Sequence, residues 1–220
     1  MAAVGAFSER HPTRVFLVDG HEAVRQGLGD LLDAEPDMIT VGTADSVEQS
    51  LVRVPVTHPD VAVVNVRLTE DIVSCRALRS AAPALSLVTL ASFDDDTAHL
   101  HAVLAGASGS VLRQIRGTRL AFAVRSAAAG HSTLDRTTTA RLLEGLALEG
   151  RDHRTNGLSA RERHLMVLIG DRLTDRQIGR RLSLSEESVR AQIARLLTGG
   201  VPRRHGLPSA LPPRQSVPPL

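Results

Sequence analysis

Short apolar runs alternate with helix-length amphipathic segments over the first part of the chain. The runs are rich in Val, Leu and Ile, show little polar alternation and are bounded by turn-forming residues. This pattern is typical of parallel strands that helices cover on both faces. It predicts strands at 13–19, 38–43, 61–65, 85–90 and 109–112. It predicts helices at 22–34, 47–54, 72–81, 95–105 and 118–129.

Five strands in regular alternation with helices favour an α/β flavodoxin-like (CheY-like) fold. In such sheets the functional crevice lies beyond the carboxyl ends of the strands. The first apolar run ends in Asp19 and the third ends in Asn65. We therefore expect both side chains to face that crevice.

Helix start signals dominate the second half of the chain. Ser159 and Thr174 each stand three residues before a Glu or Gln, which is the spacing of a capping box. Ser185 is suited to cap a third helix at 186–197, so the segment predicts an all-α helix-turn-helix domain. The apolar positions expected to pack inward are Ile178, Leu182, Leu184, Val189, Ile193 and Leu196.

Several separated motifs resemble one family. Residues 15–28 are similar to the opening of NarL/FixJ-type (LuxR-type) response regulators, and residues 104–110 to the approach to their fifth strand. The helix-turn-helix segment resembles the LuxR-type pattern. The resemblance covers about residues 13–204 and implies a receiver followed by a DNA-binding domain. We expect a receiver-like domain at 13–130, a linker helix and hinge at 131–157, a LuxR-type helix-turn-helix at 158–198, and a Pro-rich, disordered tail at 199–220.

The resemblance implies a receiver pocket that this chain has altered. A family receiver forms an aspartyl phosphate at the end of strand 3, with Mg²⁺ on an acidic pair and a lysine beside the phosphate. Asn65 occupies the acceptor position, and its amide is not a phosphoryl acceptor. The other departures are Asp19 and Gly20 for the acidic pair, Arg113 for the lysine, Ala91 for a hydroxyl residue and Ser110 for an aromatic residue. Together they predict a degenerate receiver without a metal or other cofactor, unless these are loop residues of an unrelated α/β domain.

Charge is distributed unevenly along the chain. All 26 basic residues are arginine, and from residue 158 onward there are 11 arginines against 5 acidic residues. A basic output half suits contact with DNA phosphates. The resemblance implies that Glu187 replaces a usual lysine and that Ala191 replaces a usual polar residue that contacts a base. Both replacements predict weak DNA binding. The alternative is that this segment is a solvated basic helix. The residues expected to contact DNA phosphates or a guanine edge are Arg180, Arg181, Arg190 and Arg195.

Other patterns exclude several classes of protein. No apolar run approaches the ~18 residues of a membrane span. The single cysteine, Cys75, excludes a disulfide framework, and these features together predict a cytoplasmic protein. The segment 21–25 misses the zinc motif HExxH at its last position, and 106–110 misses the GxSxG motif of hydrolases. No catalytic site is predicted, so we expect no enzyme activity.

The sequence as a whole predicts a DNA-binding transcriptional response regulator of a two-component-like system. Its receiver is expected to work without phosphorylation, and no particular sensor kinase is indicated. The alternative is a decoy or remnant that does not bind DNA and pairs with an intact regulator. Both interpretations allow a homodimer or a heterodimer with another response regulator.

Overall fold

The computed structural model of the chain describes residues 11–66, 69–91, 95–112, 117–134 and 159–200. A five-stranded parallel sheet with the order β2-β1-β3-β4-β5 forms the first half. The predicted flavodoxin-like receiver fold is confirmed. Its strands are β1 Thr13–Val18, β2 Met38–Ala44, β3 Val61–Asn65, β4 Ser86–Ala91 and β5 Gly109–Leu112. Its helices are α1 Glu22–Asp33, α2 Val47–Thr57, α3 Thr69–Ala81, α4 Asp95–Ala105 and α5 Gly117–Ala128.

The sheet is buried on both faces because successive strand side chains point in opposite directions. On β1, Val15 and Leu17 pack into the cluster that includes residues of α1 and α5. Phe16 and Val18 pack into the cluster that includes residues of α2, α3 and α4. Burying each such side chain contributes roughly 1.5–3 kcal/mol. A one-residue slip of β1 would exchange the two sets, so this alternation fixes where each strand ends.

In the first half, two helix boundaries differ from the sequence prediction by three residues. Helix α2 runs through Pro55 to Thr57 instead of ending at 54. A proline in the last turn removes few helical hydrogen bonds, and His58, at φ 44°, then ends the helix by donating its N–H to Val54 O at 3.0 Å. Helix α3 begins at Thr69, three residues before the predicted start.

The described residues of the second half, 159–200, form three helices, as predicted for this segment. They are α6 Ala160–Gly170, α7 Asp175–Leu182 and α8 Glu186–Gly200. The hydroxyl oxygens of Ser159, Thr174 and Ser185 each accept a hydrogen bond from the backbone N–H three residues later, at 3.1–3.3 Å. The three predicted start signals are thus confirmed. Helix α8 continues through Gly200, beyond the predicted end at 197, although glycine is a weak helix former.

The turn between α7 and α8 depends on a glycine. A Cβ added to Gly179 would lie 2.6 Å from the carbonyl oxygen of Leu184, so no larger residue fits there without a shift. Leu184 N–H donates to Gly179 O at 2.8 Å, and Ser183 adopts φ 55° between them. The predicted inward positions pack as expected. Ile178, Val189 and Ile193 are fully buried, and Leu182, Leu184 and Leu196 are partly buried against the same core.

The apolar core of the helical half is continuous with the core under the sheet. Helix α3 packs against α7 and α8, and α4 packs against α6. Leu165 and Ile169 belong to the same buried cluster as Leu78 and Leu104. The two halves are therefore in direct contact in this structure.

Parts of the predicted domain organisation lie outside the described residues. These are most of the linker and hinge, at 135–158, and the tail from residue 201 onward. Among the residues that the structure describes, no helix combines the length and the apolar character that crossing a membrane requires.

Candidate functional site

Asp19 and Asn65 meet at the carboxyl edge of the sheet. Val18 pairs with Val64 across the β1–β3 ladder, which places the following residues side by side. The amide Nδ2 of Asn65 donates to Asp19 Oδ2 at 2.7 Å. Both side chains are buried, with 2% of Asp19 and 5% of Asn65 exposed. The structure brings together the two residues that the strand ends point to.

Both carboxylate oxygens of Asp19 already have protein partners. The second oxygen, Oδ1, accepts from the backbone N–H of His21 at 2.8 Å and lies 3.1 Å from the His21 ring Nδ1. Arg25 Nη1 donates to the backbone carbonyl of Asp19 at 2.5 Å, which also holds this corner of the pocket. A cation at the carboxylate would compete with these donors for the oxygen lone pairs. Within the described part of the chain, no group of three or more candidate metal ligands occurs.

Asn65 presents no nucleophile to the pocket. Its Oδ1 is buried and has no hydrogen-bond donor among the described residues. Ala91 ends β4 opposite Leu112, and Ser110 lies half-buried on β5 opposite Thr89. Gly20 is exposed beside Asp19. Arg113 falls outside the described residues.

The predicted DNA-contacting residues lie on α7 and α8, and most are exposed. Glu187, Ala191 and Arg195 follow one another at four-residue spacing, so they share one exposed face of α8. Arg180 and Arg181 are exposed in the last turn of α7. These positions are open to a partner outside the chain.

Arg190 does not share this exposure. Its Nη1 lies 3.4 Å from Asp175 Oδ2 and 4.0 Å from Glu186 Oε2, and its side chain is 26% exposed. Asp175 itself is fully buried at the start of α7. A residue expected to contact DNA is therefore held by a carboxylate of its own domain.

Asp175 also joins the output helices to the receiver. Its Oδ1 accepts from Arg76 Nε at 2.6 Å, and the Arg76 side chain is only 2% exposed. The other two nitrogens of Arg76 donate to Leu104 O in the receiver and to Leu173 O in the output half, both at 3.0 Å. One guanidinium thus bonds both halves of the chain.

A second arginine pair continues this contact. Arg79 Nη1 donates to Arg172 O at 3.3 Å, and Arg172 Nη2 donates to the hydroxyl of Ser108. We call the contact among Arg76, Arg79, Ser108, Arg172 and Asp175 the seam. Burial, and then the nearby charges of Arg76 and Arg172, lower the pKa of Arg79 to about 10. Burial also lowers the pKa of Arg172.

Sequence reasoning missed the seam. Arg76 stands one helical turn after Ile72, and both side chains are buried, so a cation occupies an inward position of α3. An arginine at an inward helix position is a signal that a buried carboxylate lies nearby. Asp175 gave no such signal, because an acid in the first turn of a helix is ordinary.

Comparisons with known proteins agree with this architecture. Residues 15–125 match the response regulator receiver domain. The chain is 45% identical to the DNA-binding transcriptional activator DevR/DosR of Mycobacterium tuberculosis, over 87% of this chain and 90% of that protein. It is 27% identical to the nitrate/nitrite response regulator NarL of Escherichia coli, over 86% of this chain and 90% of that protein.

A solved structure gives the same result for the receiver half. A LuxR-family two-component response regulator from Aurantimonas sp. SI85-9A1 superposes with a TM-score of 0.53 at 25% identity, covering 61% of this chain and 97% of that chain. The receiver match spans half of the sequence, and the DevR/DosR similarity extends across the output helices as well. This chain belongs to the NarL/LuxR family of response-regulator transcription factors.

Proposed function

We propose that this chain is a DNA-binding transcription regulator whose receiver is not switched by an aspartyl phosphate. The observation that carries the proposal is Asn65 at the phospho-acceptor position, with its amide bonded to Asp19 at 2.7 Å. The output half supplies an exposed helix face and exposed arginines. The Mycobacterium tuberculosis relative is named as a DNA-binding activator, which supports the same activity for this chain.

Phosphoryl transfer lacks its chemical group in this pocket. An acyl phosphate forms when a carboxylate oxygen attacks phosphorus, and the lone pair of an amide nitrogen is delocalised into its carbonyl. Asp19 is an unsuitable substitute because it is buried and both its oxygens accept hydrogen bonds. Mg²⁺, which the family implies, fits this pocket poorly for the same reason.

DNA contact would centre on α8 and the end of α7. A recognition helix places one exposed face in the major groove, and Glu187, Ala191 and Arg195 form such a face here. Arg180 and Arg181 would neutralise phosphates. Glu187 repels phosphate, and Ala191 offers no hydrogen bond to a base edge. Binding is therefore weak, salt-sensitive and poorly selective among sequences.

The seam restrains the output helices in place of a phosphorylation switch. The major groove is about 12 Å wide, and a helix with its side chains is about 10–12 Å across. Because α3 packs against α8, both helices cannot enter one groove together. We infer that full insertion of α8 moves the output half away from α3, which would break the Arg76–Asp175 pair. The proposed boundaries are a receiver at 13–130, a linker at 131–157, an output domain at 158–198 and a tail beyond it.

A second candidate function is a decoy that pairs with an intact regulator and does not bind DNA. The observations that favour it are the exposed acid at Glu187 and the retention of Arg190 by Asp175. In this case the receiver half would form a homodimer or a heterodimer with another response regulator. The location in the cytoplasm stays a prediction for both functions.

Fluorescence anisotropy with labelled duplexes of differing sequence separates the two functions. We expect micromolar or weaker binding that falls steeply with salt. The double variant Arg180→Gln/Arg181→Gln should reduce the slope of log affinity against log salt by about 2, since each neutralised phosphate contributes roughly 0.9. Absence of binding at low salt, together with complex formation with an intact family member, would establish the decoy instead.

A further inference from the structure

The seam contains more positive than negative charge. The seam contains three guanidinium groups, those of Arg76, Arg79 and Arg172, and one carboxylate, that of Asp175. Asp175 is shared by Arg76 and Arg190. Across the described ranges, neither Arg79 nor Arg172 forms an ion pair with a carboxylate. Among the described residues, the seam therefore has two cations without a directly bonded carboxylate, and Asp175 attracts Arg79 only at longer range.

These cations converge on one turn of the receiver. Gly106 has φ +73°, and a Cβ added there would lie 2.5 Å from Arg79 Nη1 and 3.5 Å from Arg76 Nη1. Two guanidinium groups thus pack against the same backbone turn. Arg172 reaches the same region from the output half, through its carbonyl to Arg79 and its Nη2 to Ser108.

Arg172 is held in an unusual state for an arginine. Its backbone adopts φ 61°, just after α6, at a position where glycine or asparagine is favoured. Its Nε is buried and has no acceptor among the described residues. A long cationic side chain at a left-handed position, with a buried and unsatisfied donor, points to a function that offsets this cost.

We propose that the seam binds a small oxyanion, represented by inorganic phosphate, between the guanidinium groups of Arg79 and Arg172. A guanidinium presents parallel N–H donors that match two oxygens of a phosphate. The anion would neutralise the surplus charge and give Arg172 Nε an acceptor. Both side chains are partly exposed, so a small ion can reach their outer nitrogens, and Arg172 Nε would reach the ion after a small shift of the side chain. The site deepens the seam function proposed above, because an occupied seam holds the output half against the receiver.

Burial and repulsion support this assignment. Desolvation is the largest cause that lowers the pKa of Arg79 to about 10, and the charges of Arg76 and Arg172 lower it further. An oxyanion beside Arg79 would attract its guanidinium and offset the repulsion by Arg76 and Arg172. The same chemistry could come from a carboxylate of the chain's own residues 135–158, which contain four acids. Free phosphate and this internal carboxylate predict different results.

The test measures phosphate binding by the full chain with calorimetry, and thermal unfolding by circular dichroism in phosphate and in chloride at matched ionic strength. The seam variant is Arg79→Gln/Arg172→Gln. The matched control is Arg119→Gln/Arg176→Gln, which removes the same charge from two exposed positions outside the seam and outside the proposed DNA contacts. We expect saturable phosphate binding by the unaltered chain and by the control, and at least a tenfold loss of affinity in the seam variant. In chloride alone, the seam variant should be close in stability to the unaltered chain, because relief of repulsion opposes the loss of the Arg79–Arg172 and Arg172–Ser108 hydrogen bonds.

Three results would overturn the proposal. An equal phosphate response in all three chains would indicate a general salt effect. Loss of binding in the control variant would place the phosphate on the exposed surface of the chain and not in the seam. If the seam variant is unstable in chloride and the unaltered chain does not respond to phosphate, then a carboxylate of the chain itself neutralises the seam. The single variant Arg172→Lys, which retains the charge and loses the planar fork, gives a further check and should also bind phosphate less tightly. None of these measurements requires DNA binding, so they can fail or succeed independently of it.

Discussion

Replacing Asp175 by asparagine should destabilise the whole chain, because Asp175 neutralises a buried arginine from the other half of the molecule. Asp175 is fully buried and Arg76 is 2% exposed, so solvent screens their attraction little. Removing one partner of a buried pair typically costs about 3–5 kcal/mol, since the other charge is left without compensation. The amide oxygen of the substituted side chain could still accept one hydrogen bond from Arg76. We therefore expect a loss near the lower end of that range, about 3 kcal/mol in the free energy of unfolding.

A double-mutant cycle measures the pair itself. Arg76→Met leaves Asp175 with only the longer contact to Arg190, at 3.4 Å, and should cost about 3–5 kcal/mol. In the double variant neither charge of the pair remains. Its loss in the free energy of unfolding should therefore be about 2–3 kcal/mol smaller than the sum of the losses in the two single variants. Asp171→Asn, at an exposed neighbouring position, is the control and should change stability by less than about 0.5 kcal/mol.

Urea unfolding followed by far-ultraviolet circular dichroism is the suitable assay, because the chain has no Trp or Tyr for fluorescence. An additive cycle would refute the reasoning. The reasoning would also be refuted if Asp175→Asn changed the free energy of unfolding no more than the control Asp171→Asn does. Either result would mean that the two halves do not form the seam in solution.

Three further predictions concern the receiver pocket and the output helix. The unaltered chain should acquire no hydroxylamine-labile phosphoryl label from acetyl phosphate and Mg²⁺, and labelling of this chain would contradict the prediction. The variant Asn65→Asp alone should not restore efficient phosphoryl transfer. Calorimetric titration should detect weak Mg²⁺ binding at most, because both oxygens of Asp19 have donors; a tight stoichiometric site would oppose it. Glu187→Lys should tighten DNA binding to all sequences by removing repulsion, whereas Ala191→Asn should raise selectivity by about 1–3 kcal/mol at one base pair. Competition anisotropy measures the affinity and the selectivity of both variants. If Ala191→Asn changed the affinity for matched and mismatched duplexes equally, the prediction of higher selectivity would be wrong.

The local features of the fold were predictable from the sequence. The apolar runs indicated the five strands, and the strand ends placed Asp19 beside Asn65, because parallel neighbours end at the same edge. The caps at Ser159 and Thr174 followed from a spacing of three residues, since capping is a contact within one helical turn. Such features depend on residues close in sequence or on the period of the pattern.

The seam was not predictable in the same way. Arg76 and Asp175 are 99 positions apart, and neither helix alone indicates which surface it meets. Arg190 was misplaced for the same reason. Its helical spacing predicted a DNA contact, but in the structure Asp175 holds its side chain half-buried. The end of α8 at Gly200 was also not predicted. Glycine has a weak helix propensity, but the hydrogen bonds of the preceding turns favour adding further residues to an existing helix.

The most direct test of the central claim is the affinity of the unaltered chain for DNA with and without acetyl phosphate and Mg²⁺, at one fixed salt concentration. The absence of a phospho-acceptor at Asn65 predicts the same dissociation constant, micromolar or weaker, under both conditions. A tenfold or greater tightening on treatment would show that the receiver still uses phosphorylation and would contradict the proposed function.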